Sequence, residues 1–229
     1  MYRLITANRT YSSWSLRPWV LMKALAIPFE DERVEFAGLD NYTAFRRFSP
    51  SATVPCLIDG ERTVWDSMGI ALYLADRHAG IWPAEAEAKA WAQCVAAEMH
   101  SGFSLLRQHC TMAVGLRVRL NEIGPALARD VTRVGEILTH GLERFGGPWL
   151  AGPAFTAADA FFAPIAYRIR TYDLDVGAAG RGWVQRMIDH PAMREWEKAS
   201  LAEPYREVEH EAEIALLGTI VADHRALAQ

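Results

Sequence analysis

The sequence predicts a small α/β domain followed by an all-helical domain. Two observations carry this. Across residues 1–80 the hydrophobic period switches repeatedly between that of strands and that of helices. The stretch "GIWPAEAE" (80–87) then sets a glycine and a proline at a change of texture, beyond which only helical periodicity continues. The expected division is residues 1–80, a linker at 81–86, and residues 87–229.

"RLITA" (3–7) reads as a short buried strand and "LRPWVLMKALAI" (16–27) as a helix stopped by Pro28. Proline lacks an amide hydrogen and is best placed in a first turn, so Pro18 predicts a helix starting no earlier than about Ser15. "ERVEF" (32–36) alternates as a second strand, and residues 41–50 suggest a short helix ending before Pro50. Residues 54–58 and 61–65 form a predicted hairpin about Asp59-Gly60. A helix over 67–78, with Ser67 as its N-cap, closes this half.

In the second half, Trp91, Val95, Met99, Gly102 and Leu106 share one helix face. Leu127, Val131, Val134, Leu138, Leu142 and Phe145 share another. Thr156-Ala-Ala-Asp159 reads as a capping box opening a third, apolar helix that Pro164 would kink. Two shorter helices are expected around 181–200, and an Ala-rich helical or frayed stretch over 211–229. No strand is expected after residue 80.

Composition narrows the function classes. Half of the 229 residues are apolar, the net charge is −4, and no basic stripe stands out, which argues against nucleic acid and acidic membranes as partners. No apolar run reaches the ~18–20 residues of a membrane-spanning helix, and the opening "MYRLITANRT" is too short in apolar residues for a signal peptide. Cys56, Cys94 and Cys110 are odd in number and widely spaced, which indicates neither a disulfide framework nor a zinc site. A reducing cytoplasm is the expected compartment, and no metal is expected.

Three short motifs could carry chemistry. In "TYSSWSLRPW" (10–19), Ser12 and Ser13 precede a helix, near the free N–H groups and positive dipole end that favour an anion. Ordinary capping explains the same serines. In "TVPCL" (53–57), Pro55 begins a strand. A cis Val54–Pro55 bond would turn the Val54 peptide groups toward an extended, peptide-like ligand. A trans proline on an edge strand is the commoner form. In "WDSMG" (65–69), Asp66 and Ser67 stand at a helix start, where a carboxylate and free amides together suit an α-amino acid zwitterion. Plain capping accounts for that pair equally well. All three motifs would line one side of a small sheet.

With these motifs in that domain order, the chain resembles a glutathione S-transferase over nearly its whole length. The resemblance implies a thioredoxin-like N-terminal domain and an all-α C-terminal domain. "TVPCL" resembles the family's cis-proline segment, with Thr53, Val54 and Pro55 against glutathione. Asp66-Ser67 resembles the pair that holds the γ-glutamyl end, and "FTAADAFFAPIAY" resembles the capped core helix with its buried Asp159. "SSWSLR" is closest to the serine-type, zeta-like pattern, which gives Ser12 the catalytic place and Ser13 the alternate one. Trp14 stands where that pattern has a cysteine, against an isomerase of the maleylacetoacetate type and against thiol transferases that use a cysteine.

The resemblance implies glutathione as co-substrate, thiolate activation, detoxifying conjugation to a small electrophile and a homodimer. Met99, His100, Phe103 and Arg107, within "EMHSGFSLLRQ" (98–108), are the candidate electrophile wall, their mixture of apolar and cationic groups suiting an aromatic or anionic co-substrate. A glutathione-dependent isomerase or peroxidase, and a non-catalytic protein retaining the fold for binding or assembly, are the other readings.

Overall fold

The computed structural model describes residues 1–36 and 41–225. Its first half is built on a four-stranded sheet of order β2-β1-β3-β4, from β1 (Tyr2–Thr6), β2 (Phe29–Arg33), β3 (Cys56–Asp59) and β4 (Arg62–Val64). β1 runs parallel to β2 and antiparallel to β3, which sets buried Leu4 opposite buried Leu57. β3 and β4 form the expected hairpin, with Asp59 paired to Arg62 across a tight turn and Gly60 at φ +60°, a left-handed conformation that glycine adopts freely.

The connecting helices are α1 (Ser13–Ala24), the short α2 (Tyr42–Phe45) and α3 (Ser67–Ala75). The element order is the predicted one, and three details correct the prediction. β2 lies at Phe29–Arg33, three residues before the expected 32–36. α1 begins at Ser13, with Ser12 as N-cap, so Pro18 is its sixth residue. The helix gives up one amide bond there, while Leu16, Trp19, Val20, Leu21 and Met22 are buried. That apolar burial offsets the missing bond. The N-cap of α3 is Asp66, whose Oδ1 accepts the Met68 and Gly69 amides at 2.8 and 3.2 Å. Ser67 is therefore the first helical residue, with its side chain buried.

The second half carries α4 (Ala86–Ser101), α5 (Ser104–His109), α6 (Pro125–Phe145), α7 (Ala157–Tyr172), α8 (Gly177–Asp189), α9 (Pro191–Leu201) and α10 (Val208–Leu217). The stripe drawn from Trp91 to Leu106 is broken at Gly102 and at Phe103, which sits at φ +59°, so Leu106 belongs to a separate helix. Thr156 and Asp159 form the predicted capping box, and α7 is buried along almost its whole length. It packs against α1 and α4, which joins the two halves through one core.

Two strands appear where none was expected. β5 (Leu116–Leu120) pairs antiparallel with β6 (Gly218–Asp223), so the stretch expected to be helical or frayed over 211–229 is helical to Leu217 and then a ribbon strand. Residues 226–229 of that stretch lie outside the described ones. No helix among the described residues is long and apolar enough to cross a membrane.

Candidate functional site

A cleft of about 650 Å³ opens where the β1–α1 loop meets the start of β3 and the start of α3. Ser12, Ser13, Trp14, Thr53, Val54, Pro55 and Asp66 all line it, so the three motifs separated in sequence converge as expected. The Val54–Pro55 peptide bond is cis.

The two serines differ in their hydrogen bonding. Ser12 is 5% exposed and its hydroxyl donates to Ser15 Oγ at 2.7 Å, which also accepts the Ala7 amide at 3.1 Å. Ser13 is half-buried, and its Oγ accepts from Arg168 Nη2 of α7 at 3.3 Å. Both stand at the N-terminal end of α1, where unpaired amides and the helix dipole favour negative charge.

At the other end of the cleft, Asp66 spends Oδ1 on the α3 amides and sets Oδ2 3.3 Å from His100 Nε2. Burial, aided by the charges of Arg17 and Arg107, lowers the His100 pKa against the pull of Asp66. That direction disfavours the charged imidazolium facing Asp66. Next to Asp66, the buried Ser67 Oγ has no partner among the described residues. A buried hydroxyl is costly to leave unsatisfied, and ligands commonly complete such groups.

The four residues proposed for the electrophile wall are not brought together on the cleft. His100 reaches it through Asp66 and packs edge-to-face on Trp14, ring centroids 5.1 Å apart. Met99 and Phe103 are buried in the core. Arg107 donates to the carbonyls of Met99 and His100, closing the C-terminal end of α4, and its guanidinium lies 4.8 Å from the Trp14 ring centre.

Several residues that shape the site escaped the sequence reading. Arg17, 3% exposed, stacks over Trp14 at 4.1 Å. Its i, i+3 spacing from Trp14 was the available signal. Tyr11 lines the cleft too, and its hydroxyl donates to Glu211 and accepts from Arg225 at 3.0 Å and from the Glu207 amide at 3.3 Å. Burial and the Glu211 contact push the Tyr11 hydroxyl pKa upward, so it stays protonated. Glu203, 2% exposed, accepts the amides of Arg9 and Thr10 at 2.8 and 3.2 Å and so fixes the β1–α1 loop from the far end of the chain. Nothing local in the sequence marks that contact.

Residues 11–77 match the glutathione S-transferase N-terminal domain, and residues 89–199 match the glutathione S-transferase C-terminal domain. The chain belongs to the glutathione S-transferase family. A zeta-class glutathione S-transferase of Euphorbia esula is 26% identical over 170 residues, 72% of this chain and 76% of its own length. A dichloromethane dehalogenase of Methylorubrum extorquens is 38% identical over 65 residues, 27% of this chain but only 23% of the dehalogenase.

Among solved structures, a glutathione transferase homolog from Burkholderia gl BGR1 with bound glutathione superposes with TM-score 0.65 at 20% identity, covering 87% of this chain and 97% of that one. A diazinon-metabolizing glutathione S-transferase of the silkworm Bombyx mori gives 0.69 at 19%, with the same coverage. At these identities the likeness is one of fold. It is that of a glutathione S-transferase: a thioredoxin-like sheet domain followed by helices. Among the described residues no cluster of His, Cys, Asp and Glu is arranged to hold a metal ion.

Proposed function

We propose that this glutathione S-transferase binds glutathione in the cleft, ionises its thiol at the N-terminus of α1 and conjugates the thiolate to a small electrophile. The carrying observation is the convergence of Ser12 and Ser13, Val54-Pro55 and Asp66 on one cleft, with the orphaned Ser67 Oγ beside Asp66. In this reading Ser67 Oγ, at the start of α3, meets the α-carboxylate of the γ-glutamyl end, and Asp66 meets its ammonium group. The peptide groups of Val54 pair with the cysteinyl unit, flanked by Thr53 and Pro55. Trp14, held between Arg17 and Arg107, walls the thiol.

The magnitudes are sufficient without a general base. Lowering a thiol pKa from about 8.5 by two units takes roughly 2.7 kcal/mol of preferential anion stabilisation. One hydrogen bond from a serine hydroxyl to the thiolate supplies roughly 1.5–3 kcal/mol, and a helix N-terminus about 0.3–1 more. The thiol proton goes to solvent, and the serine remains a donor throughout.

The electrophile is placed beside Trp14, toward His100 and Arg107. The absence of any ion pair to Arg17, Arg107 or Arg168 among the described residues favours a co-substrate with negative charge. We place the protein in the cytoplasm, where Cys56, Cys94 and Cys110 remain unpaired thiols, and infer a homodimer and a detoxifying role from the family.

Isothermal calorimetry with glutathione, and with an analogue lacking the γ-glutamyl α-carboxylate, tests the binding mode. Glutathione is expected to bind and the analogue to lose roughly tenfold or more. Equal binding of both would overturn the placement at Ser67, and no binding of either would overturn the glutathione reading. Turnover with a chloronitrobenzene-type electrophile then separates a transferase from a non-catalytic binding protein.

A further inference from the structure

We infer that Ser13, rather than Ser12, donates to the thiolate, and that Arg168 is the positioning residue that aims it. The inference rests on the glutathione reading above and extends it to a residue on the far side of the domain junction.

A serine hydroxyl has one proton to give. That of Ser12 goes to Ser15 Oγ at 2.7 Å, which also accepts the Ala7 amide and so ties the start of α1 back to the end of β1. Donating to a ligand would require Ser12 to break this buried link. Ser13 is in the opposite position. Its oxygen accepts from Arg168 at 3.3 Å, and a guanidinium has only donors, so the Ser13 proton is turned away from Arg168 and has no acceptor among the described residues. A hydroxyl that accepts from a cation is also polarised into a stronger donor. Ser13 is the more exposed of the two and lines the cleft.

Arg168 is built for holding rather than for pairing. It is 5% exposed, its Nη1 donates to the Cys110 carbonyl and to that of Arg107 at 3.4 Å, and its Nε has no partner among the described residues. The groups facing it are Arg17 from α1, Arg107 from α5 with Cys110 just after it, His210 from α10 and Tyr172 from its own helix, and no carboxylate among the described residues bonds to it. Burial lowers its pKa to about 10, which leaves it a cation at neutral pH. An unneutralised cation fixed by two carbonyls, one bond from Ser13, places both a dipole and a charge behind the thiol.

The test is the pKa of the thiol of bound glutathione, followed by thiolate absorbance and by the pH dependence of turnover, together with the split of kcat from KM. Ser13→Ala is expected to raise that pKa by roughly one to two units and to lower kcat at pH 6.5 by about tenfold or more, with KM for glutathione little changed. Ser12→Ala is expected to shift it less. Arg168→Met should raise it in the wild-type background and add little on top of Ser13→Ala, since Arg168 acts through Ser13. Arg168→Lys should recover part of the loss.

A larger shift from Ser12→Ala than from Ser13→Ala would overturn the assignment of the donor. An Arg168→Met effect that is equal with and without Ser13 would overturn the positioning role. Because Arg168 is buried, the comparison of the two serine variants settles the donor even where Arg168→Met fails to fold, and Arg168→Lys then carries the second arm. If the wild type binds glutathione with a lowered thiol pKa but the variants behave otherwise, only this inference falls. If it binds none, the functional reading falls with it.

Discussion

Ser67 Oγ is a buried hydroxyl with no bonding partner among the described residues, one residue from a carboxylate that caps the same helix. A group left that way is a cost to folding and an advantage only to a ligand. Ser67→Ala is therefore expected to weaken glutathione binding roughly tenfold while leaving the melting temperature of the free protein unchanged or higher. Calorimetry and thermal unfolding measure the two effects, and a variant that loses stability but keeps affinity would contradict the account. At this scale the sequence was informative about which residue types gather and silent about their bonds. Asp66-Ser67 was legible as a helix-start pair, yet the capping fell to Asp66 because its longer carboxylate reaches the amides of Met68 and Gly69. Arg168 and Glu203 were not legible at all, since the first acts on the start of α1 and the second on the β1–α1 loop, each across more than 150 residues.

The elements divide along the same line between local and distant causes. The capping box of α7 was readable from Thr156 to Asp159 because it is a four-residue pattern. Its reach was not. The Asp159 carboxylate also accepts from the Leu150 amide at 2.9 Å and from the Trp183 indole at 3.1 Å, joining α7 to α8 and to the loop before it. Asp159→Ala should cost at least ~3 kcal/mol in denaturant unfolding, since it orphans several buried donors at once. A loss below ~1 kcal/mol would show that those donors find other partners.

The start of α1 was misplaced because the proline rule weighs one lost bond and ignores the buried face around Pro18. The β5–β6 ribbon was missed because its strands lie about a hundred residues apart, with only the alternation of Arg117-Val118-Arg119-Leu120 and the β-branched Thr219-Ile220-Val221 as signals.

Across the whole molecule, the C-terminal segment closes on the site. Arg225 bonds Glu211 and Asp223, and Glu211 takes the hydroxyl of Tyr11 in the cleft wall. Burial acts to raise the Glu211 pKa, but the bonds from Arg225 and Tyr11 outweigh it and leave the group below its ordinary value. The Arg225 bond likewise lowers Asp223. Carboxylates lowered in the folded state contribute stability that is present above their unfolded pKa and is lost as the pH falls through the folded one. Protection of residues 208–223 against hydrogen exchange, corrected for intrinsic rates, is therefore expected to fall below about pH 4, ahead of α7. Glu211→Gln should loosen the same segment at neutral pH. Unchanged protection in both cases would dissociate this clamp from stability.

The central claim is that the cleft holds glutathione with its sulfur at the N-terminus of α1 as a thiolate. A pH titration of thiolate absorbance for glutathione bound to the wild-type protein tests it most directly. The account predicts a midpoint roughly two units below that of the free thiol. A midpoint equal to that of free glutathione, at saturating protein, would contradict it.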